Sequence, residues 1–316
     1  MKQLRLYLYV LALSMALSAC NEEADNISNA NFHQLTDADL LPSASNTNAN
    51  DPSIDPAVSR LEFPHIKESG TQVLVNTTSG EIVNYCVEWD TEKMSQLYSC
   101  YQMDQAYGAK RTSRYYPGVG EIQYPFDDRI ANYFNHNDPF YYSGYDHGHI
   151  CPSADRLYSA PANKQTFLLT NMQPQLNGFN AGVWENMESQ IRDWNKNGFR
   201  NKLFIAKGGT ISNTEAVPDA YETMARTGGD LIVPHYYFMA VLCLTPNKGY
   251  KAMGFWVEHA KNSDEGAALA KYMVNIDTLE ELTGIDFFCN LPDELEEQVE
   301  SVSLEEVKKV WPLTTD

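Results

Sequence analysis

The 316-residue chain has 42 acidic residues against 23 Lys and Arg, a formal charge of −19, and is 43% hydrophobic with 19 Tyr and 13 Phe. This excludes a chain disordered throughout, because the apolar and aromatic side chains suffice to fill a core, and the length suits one large domain or two small ones. The charge excludes a protein that coats itself with polyanions, but it is uneven: residues 101–210 carry +1, against −10 in 21–100 and −12 in 211–316, so local, weak polyanion binding remains open.

In chain order, Lys2 and Arg5, the apolar run 6–17 and Leu17-Ser18-Ala19-Cys20 follow the plan of a secretion signal. The run is too short and wrongly flanked for a spanning helix. Leu-Ser-Ala-Cys resembles a bacterial lipobox, which implies cleavage before Cys20, lipidation of its thiol and anchoring to a membrane without crossing it. The competing reading is an ordinary cleaved signal with a chance cysteine. Residues 21–60, rich in Asn, Ser, Asp and Ala, are expected to form a flexible tether. Asn21-Glu22-Glu23-Ala24-Asp25 resembles the acidic signal that sends lipoproteins to the outer face of the outer membrane, although a solvated tether has the same composition. The expected location is the outer membrane of a bacterium, with the cell surface left open.

Residues 61–316 lack a long linker or repeat and are expected to form one α+β domain. Strands are predicted at 71–75, 82–89, 97–103, 165–170, 202–206, 237–244 and 250–257. Residues 104–145, rich in Tyr, Gly, Pro and Asp, read as a long functional loop. A helix is predicted from 180 or 181 to 195, with Trp184, Met187, Ile191 and Trp194 on its buried face and Gly198 as its stop. Short amphipathic helices follow at 267–274, 278–282, 294–299 and 304–310. Five cysteines remain after Cys20. A hairpin of 82–89 with 97–103 would bring Cys86 to Cys100, and Cys243 with Cys289 is the next pairing, although sequence alone cannot fix connectivity.

The densest chemistry lies in Tyr145-Asp146-His147-Gly148-His149-Ile150-Cys151-Pro152. In an extended conformation His147, His149 and Cys151 would share one side and could bind zinc, but no second pair with standard spacing lies nearby. The alternative is hydrolysis of a phosphodiester, which needs a proton acceptor and a stabilised leaving oxygen. Imidazole suits the first task. A hard cation such as Mg²⁺ suits the second and can stay bound through very few protein oxygens. Downstream, Asn180, Trp184, Glu188 and Arg192 are spaced by four and form one row along a helix, where an amide oxygen, a carboxylate and a guanidinium could converge on a phosphate. An N-cap followed by an ordinary Glu/Arg surface pair would give the same spacing.

These residues together resemble the DNA/RNA non-specific endonucleases of the ββα-metal fold, a family that includes secreted bacterial nucleases and mitochondrial endonuclease G. Its signature is Asp-Arg-Gly-His, then Asn-x-x-Pro-Gln about thirty residues on, then Asn-x-x-x-Trp-x-x-x-Glu. Here Asp146-His147-Gly148-His149, Asn171-Met172-Gln173-Pro174-Gln175 and Asn180 to Glu188 stand in register, and Gly284-Ile285-Asp286-Phe287-Phe288 looks like the family's late motif. The resemblance runs from about 71 to 299. It implies a ββα-metal (His-Me finger) fold with a central antiparallel sheet flanked by helices. It also implies a sugar-non-specific endonuclease acting on DNA and RNA with Mg²⁺, or Mn²⁺ in its place. By the same resemblance His149 is the general base, Asn180 the sole direct protein ligand of the metal, Glu188 a residue that positions water beside it, and Arg192 a guanidinium that neutralises phosphate charge. Asp146 shapes the motif and Asn171 braces the site. An upstream loop arginine is also implied, with Arg114 preferred over Arg111 and Arg129. One departure is His147, where the family has Arg. His offers no permanent charge or planar fork: if the family Arg supports the loop, His147 can do the same by hydrogen bonding, and if it contributes binding, activity is expected to be weaker and to fall as pH rises. Together with the acidic balance this makes a nuclease-like surface lipoprotein that binds without cutting the alternative.

Overall fold

The structure, a computed structural model, describes residues 45–79, 82–130, 138–227 and 229–314. The signal sequence, Cys20 and residues 21–44 lie outside the described residues. The centre is a seven-stranded sheet in the order β1 (Thr71–Thr78), β2 (Ile82–Asp90), β3 (Ser95–Met103), β6 (Lys202–Gly209), β9 (Tyr236–Leu244), β10 (Tyr250–Glu258) and β11 (Met273–Val274). Every neighbouring pair in it is antiparallel. Two smaller pairs lie outside it, β4 (Asp146–His149) with β5 (Met172–Gln175) and β7 (Tyr221–Met224) with β8 (Leu231–Pro234). The α-helices that matter here are α1 (Ala160–Gln165), α2 (Glu185–Trp194), α3 (Ile276–Thr283), α4 (Asp293–Glu300) and α5 (Leu304–Val310).

The period of two along each strand feeds two cores. Tyr237, Met239, Val241 and Cys243 of β9 join Leu203 and Ile205 of β6 against Met187, Ile191 and Trp194 of α2. Phe238, Ala240 and Leu242 turn the other way, to Ile276 and Leu279 of α3 and Leu295 and Val299 of α4. With helices on both faces, β9 and β10 read as near-continuous apolar runs rather than alternating ones. The architecture is the expected α+β one, a central antiparallel sheet flanked by helices.

Several sequence expectations need correction. Residues 165–170 are not a strand: Pro161 in the first turn and the Ser159 side chain capping Ala162 N start α1, which runs to Gln165, and a 3-10 turn follows at Leu169–Asn171. The apolar run 267–274 is a 3-10 helix, Gly266–Tyr272, that ends in the edge strand β11. A short apolar run is ambiguous between strand and helix until its neighbours are placed. The tether ends earlier than expected, because residues 45–60 dock on the domain. Asn50 donates through Nδ2 to Val58 O (3.1 Å) and Pro64 O (2.9 Å), and Asn46 donates to Cys289 O (3.0 Å) and Leu291 O (2.6 Å). Asparagines that look like solvated linker are satisfying buried carbonyls. Cys86 and Cys100 do face each other across β2 and β3, but both are free thiols. Cys243 and Cys289 cannot pair, since Cys243 belongs to the α2 side of the sheet and Cys289 packs against Phe63 on the other.

Candidate active site

The β4–β5 pair followed by α2 forms a ββα unit on one face of the large sheet. Gly148 of β4 lies opposite Gln173. A Cβ at Gly148 would stand 2.3 Å from the Gln175 side chain, so the glycine between the two histidines lets the strands close. Before α2 the backbone widens into a π-helical turn, Asn180–Trp184, with Gly182 at φ −119° and ψ −119°. Such turns are frequent at functional sites. Here it frees Val183 N to donate to Asn262 O (2.8 Å), and a Cβ at Gly182 would come within 2.0 Å of that oxygen. Gly182→Ala is expected to cost about 1–3 kcal/mol by overpacking, read as a lower urea midpoint. An unchanged midpoint would show that the turn has room to spare.

Asp146, His149, Asn180, Glu188, Arg192 and Arg114 all line one cavity of about 440 Å³. His149, at the end of β4, is half-buried, packed edge-on against Phe167 (4.9 Å) with its backbone oxygen facing Trp184 Nε1 (3.4 Å). Burial, reinforced by the charge of Arg114, pushes its ring down to about 3, so it is neutral at pH 7. Asp146 Oδ2 accepts from both Asn180 Nδ2 and Asn177 Nδ2, each at 3.0 Å. A carboxylate can only accept, so it fixes which end of the Asn180 amide is which, and the amide oxygen is left for the cavity.

Glu188 and Arg192 form one end of a chain of charges. Glu188 Oε1 receives Lys207 Nζ at 2.6 Å and Oε2 lies 4.0 Å from Arg192 Nη1, which in turn reaches Asp155 Oδ1 at 3.1 Å. Burial pushes the Glu188 carboxyl up, opposed by Lys207 and Arg192, and burial works against the charge of Arg192 but is outweighed by Asp155 and Glu188. Lys207 has no exposed side-chain surface and also lies over the Trp184 ring at 4.5 Å. Asp155 is buried and accepts from Tyr101 Oη at 2.9 Å. Lys207→Met is therefore expected to lose about 1–3 kcal/mol, because it removes the closer partner of a largely buried carboxylate and leaves only Arg192 at 4.0 Å. Lys207→Met with Glu188→Leu should recover most of that stability without recovering site function. Chemical denaturation of both variants checks this, and a single variant as stable as the parent would contradict it.

Asn171 stands outside the cavity. Buried beneath it, Asn171 donates to Cys151 O (2.9 Å) and Thr166 O (2.8 Å) and accepts from Cys151 N (2.9 Å) and Ser99 Oγ (3.0 Å), tying the exit of β4 to β3 and α1. Arg114 is exposed at the rim, its guanidinium 4.9 Å from the Phe167 ring centre. Arg129 is held elsewhere by Asp127 and Asn76. The zinc arrangement is not present. His147 turns to Asp138 (Nε2 to Oδ2, 2.9 Å) between Tyr124 (3.8 Å, interplanar 4°) and Phe140 (4.7 Å). Cys151 lies beyond the end of β4, fully buried, with its thiol pushed up to about 12 by burial.

Sequence reading missed Lys207, Asp155 and His259. His259 Nδ1–H donates to Pro234 O (2.9 Å), which leaves Nε2 to accept from Leu176 N (2.8 Å) and so anchors the turn before Asn180. The usable signal for Lys207 was a lysine inside an otherwise apolar strand next to two glycines. His259 and Asp155 carried none.

The family model for DNA/RNA non-specific endonucleases matches residues 67–294. Among curated proteins, a nuclease of Syncephalastrum racemosum is 33% identical over 156 residues, covering 47% of this chain and 48% of its own length. A nuclease of Nostoc sp. is 33% identical over 159 residues, 50% of this chain and 56% of its own. Human mitochondrial endonuclease G is 27% identical over 173 residues, 54% and 58% respectively. The chain thus spans about half the length of the curated relatives it matches. Among solved structures, a chain from an EndoG/EndoGI complex superposes with a TM-score of 0.60 at 18% identity, covering 76% of this chain and 94% of that one. That likeness gives the fold, the ββα-metal nuclease architecture. With a family match running unbroken from before β1 into α4, across the whole cavity, the chain belongs to the DNA/RNA non-specific endonuclease family.

Proposed function

We propose that the chain is a divalent-metal-dependent endonuclease hydrolysing the phosphodiester bonds of DNA and RNA, with Mg²⁺ as its metal and Mn²⁺ able to replace it. One observation carries this reading: a neutral imidazole, an oriented amide oxygen, a carboxylate and two guanidinium groups line a single cavity. The lining fits a hard, largely hydrated cation, since it offers the Asn180 amide oxygen and the carboxylates of Glu185 and Glu188 and no thiol. When bound, such a cation would stabilise negative charge on the phosphate and the leaving oxygen. His149 accepts the proton of the attacking water. Arg192 and Arg114 neutralise the phosphate oxygens, and Glu188, held by Lys207, orients water in the cavity. Asp146 keeps the Asn180 amide turned the right way. Phosphate chemistry is common to both nucleic acids, which supports activity without sugar preference.

The test is soluble protein lacking residues 1–20, incubated with plasmid DNA and with RNA in Mg²⁺, Mn²⁺ or EDTA. Metal-dependent cleavage of both is expected, and its absence sinks the proposal. The non-cutting alternative rested on His147. Against it stands the setting of that ring, which is held by Asp138, Tyr124 and Phe140 as a loop brace would be. Export as an outer-membrane lipoprotein anchored through Cys20 belongs to the same proposal and rests on the lipobox-like residues 17–20. Labelled palmitate should enter the parent chain and not Cys20→Ser.

A further inference from the structure

On the face of the sheet opposite the nuclease cavity, three carboxylates converge between two helices. Asp277 and Glu280, three residues apart on α3, share a helix face, and Glu300 closes the last turn of α4. An oxygen from each lies within 4.8 Å of the others. Their exposure falls from Asp277, which is exposed, through half-buried Glu280 to Glu300, with 6% of its surface exposed. A solvent entrance therefore leads to a buried base. Glu300 Oε1 is shielded from solvent and has no hydrogen-bond partner among the described residues. Buried carboxylate oxygens are rarely left so, because the lost hydration is then uncompensated.

The charges acting on Glu300 make the point sharper. The charges that act most strongly on it are those of Glu280, Glu296, Asp286 and Asp277, all acidic. Glu280 already accepts from Phe287 N at 2.7 Å, and Asp286 and Glu296 share the Asn48 amide at 3.2 and 3.0 Å. Those two are held by hydrogen bonds. The Asp277, Glu280 and Glu300 oxygens are the ones gathered round a common point.

We propose that Asp277, Glu280 and Glu300 form a Ca²⁺ site that staples α3 to α4, separate from the nuclease cavity. A hard cation is the counter-charge that satisfies three carboxylates and an orphaned oxygen at once. Ca²⁺ suits an irregular set of oxygen ligands completed by water, whereas Mg²⁺ demands near-ideal octahedral geometry. The site would stabilise the fold without touching the chemistry. Its helices pack Ile276, Leu279, Leu295 and Val299 into the second core, so fixing α3 against α4 holds that core closed.

The test is thermal unfolding of the purified full-length chain, stripped with EDTA, in CaCl₂ or MgCl₂, on an Asn180→Ala background so that the nuclease cavity adds no shift. CaCl₂ is expected to raise the midpoint by several degrees and more than MgCl₂ does. Glu300→Gln, close in shape and uncharged, should have an equal or higher metal-free midpoint and lose the Ca²⁺ shift. Asp277→Asn, at the exposed mouth, should lose it too, which covers the case of Glu300→Gln failing to fold. In the parent background both variants should retain cleavage. No Ca²⁺ shift in the Asn180→Ala chain, or an undiminished shift in Glu300→Gln or Asp277→Asn, would overturn the site. Neither result bears on the nuclease assignment, which is read by cleavage.

Discussion

His149→Ala is expected to lower kcat on plasmid DNA by about 10²–10⁴-fold, the usual contribution of a positioned general base, with the metal requirement unchanged. The ring packs on Phe167, so His149→Asn serves as a second variant that leaves a smaller gap. The same residue sets the pH dependence. The folded ring takes a proton near pH 3, against 6.5 for a free imidazole, so the acid limb of kcat/KM should lie well below 6.5. Stability follows by linkage: the unfolded chain binds that proton first, so the effect is absent above about 6.5 and destabilises increasingly as pH falls toward 3. A limb at or above 6.5, or a parent-like rate in both variants, would hand the base role to another group.

Asn180→Ala removes the amide oxygen assigned to the metal and is expected to reduce cleavage by roughly 10³-fold, several kcal/mol of charge stabilisation at the transition state. Asp146→Ala is the informative partner. It leaves the oxygen in place but frees the amide to turn, since Oδ2 of Asp146 is what receives Asn180 Nδ2. A loss of about 10–100-fold is expected, as for outer-shell groups that orient a ligand, and raised Mg²⁺ or Mn²⁺ should restore part of it. Titrating the metal for both variants separates the roles. Rescue of Asn180→Ala by metal, with none for Asp146→Ala, would reverse them.

The local sequence determined much of this protein. The spacing of Met187, Ile191 and Trp194 placed α2 and its buried face, although the first turn expected at 180–184 is π-helical, and the ordered motifs named His149 and Asn180, which line one cavity, and Asn171, which is buried beneath it. These are short-range patterns, and short-range patterns survive in one dimension. What only the tertiary structure decided is which side chains those residues meet. Glu188 and Arg192 read as an ordinary i,i+4 pair, but Lys207 from β6 and Asp155 from the β4–α1 connection turn them into a buried charge chain. Cys243 and Cys289 looked like partners until the sheet came between them. Spacing alone left His147 open between a loop brace and a weakened phosphate ligand, and its contacts with Asp138, Tyr124 and Phe140 are those of a brace. Each of these depends on contacts between segments distant in the chain. Burial then sets protonation and partnership in ways that residue spacing does not encode.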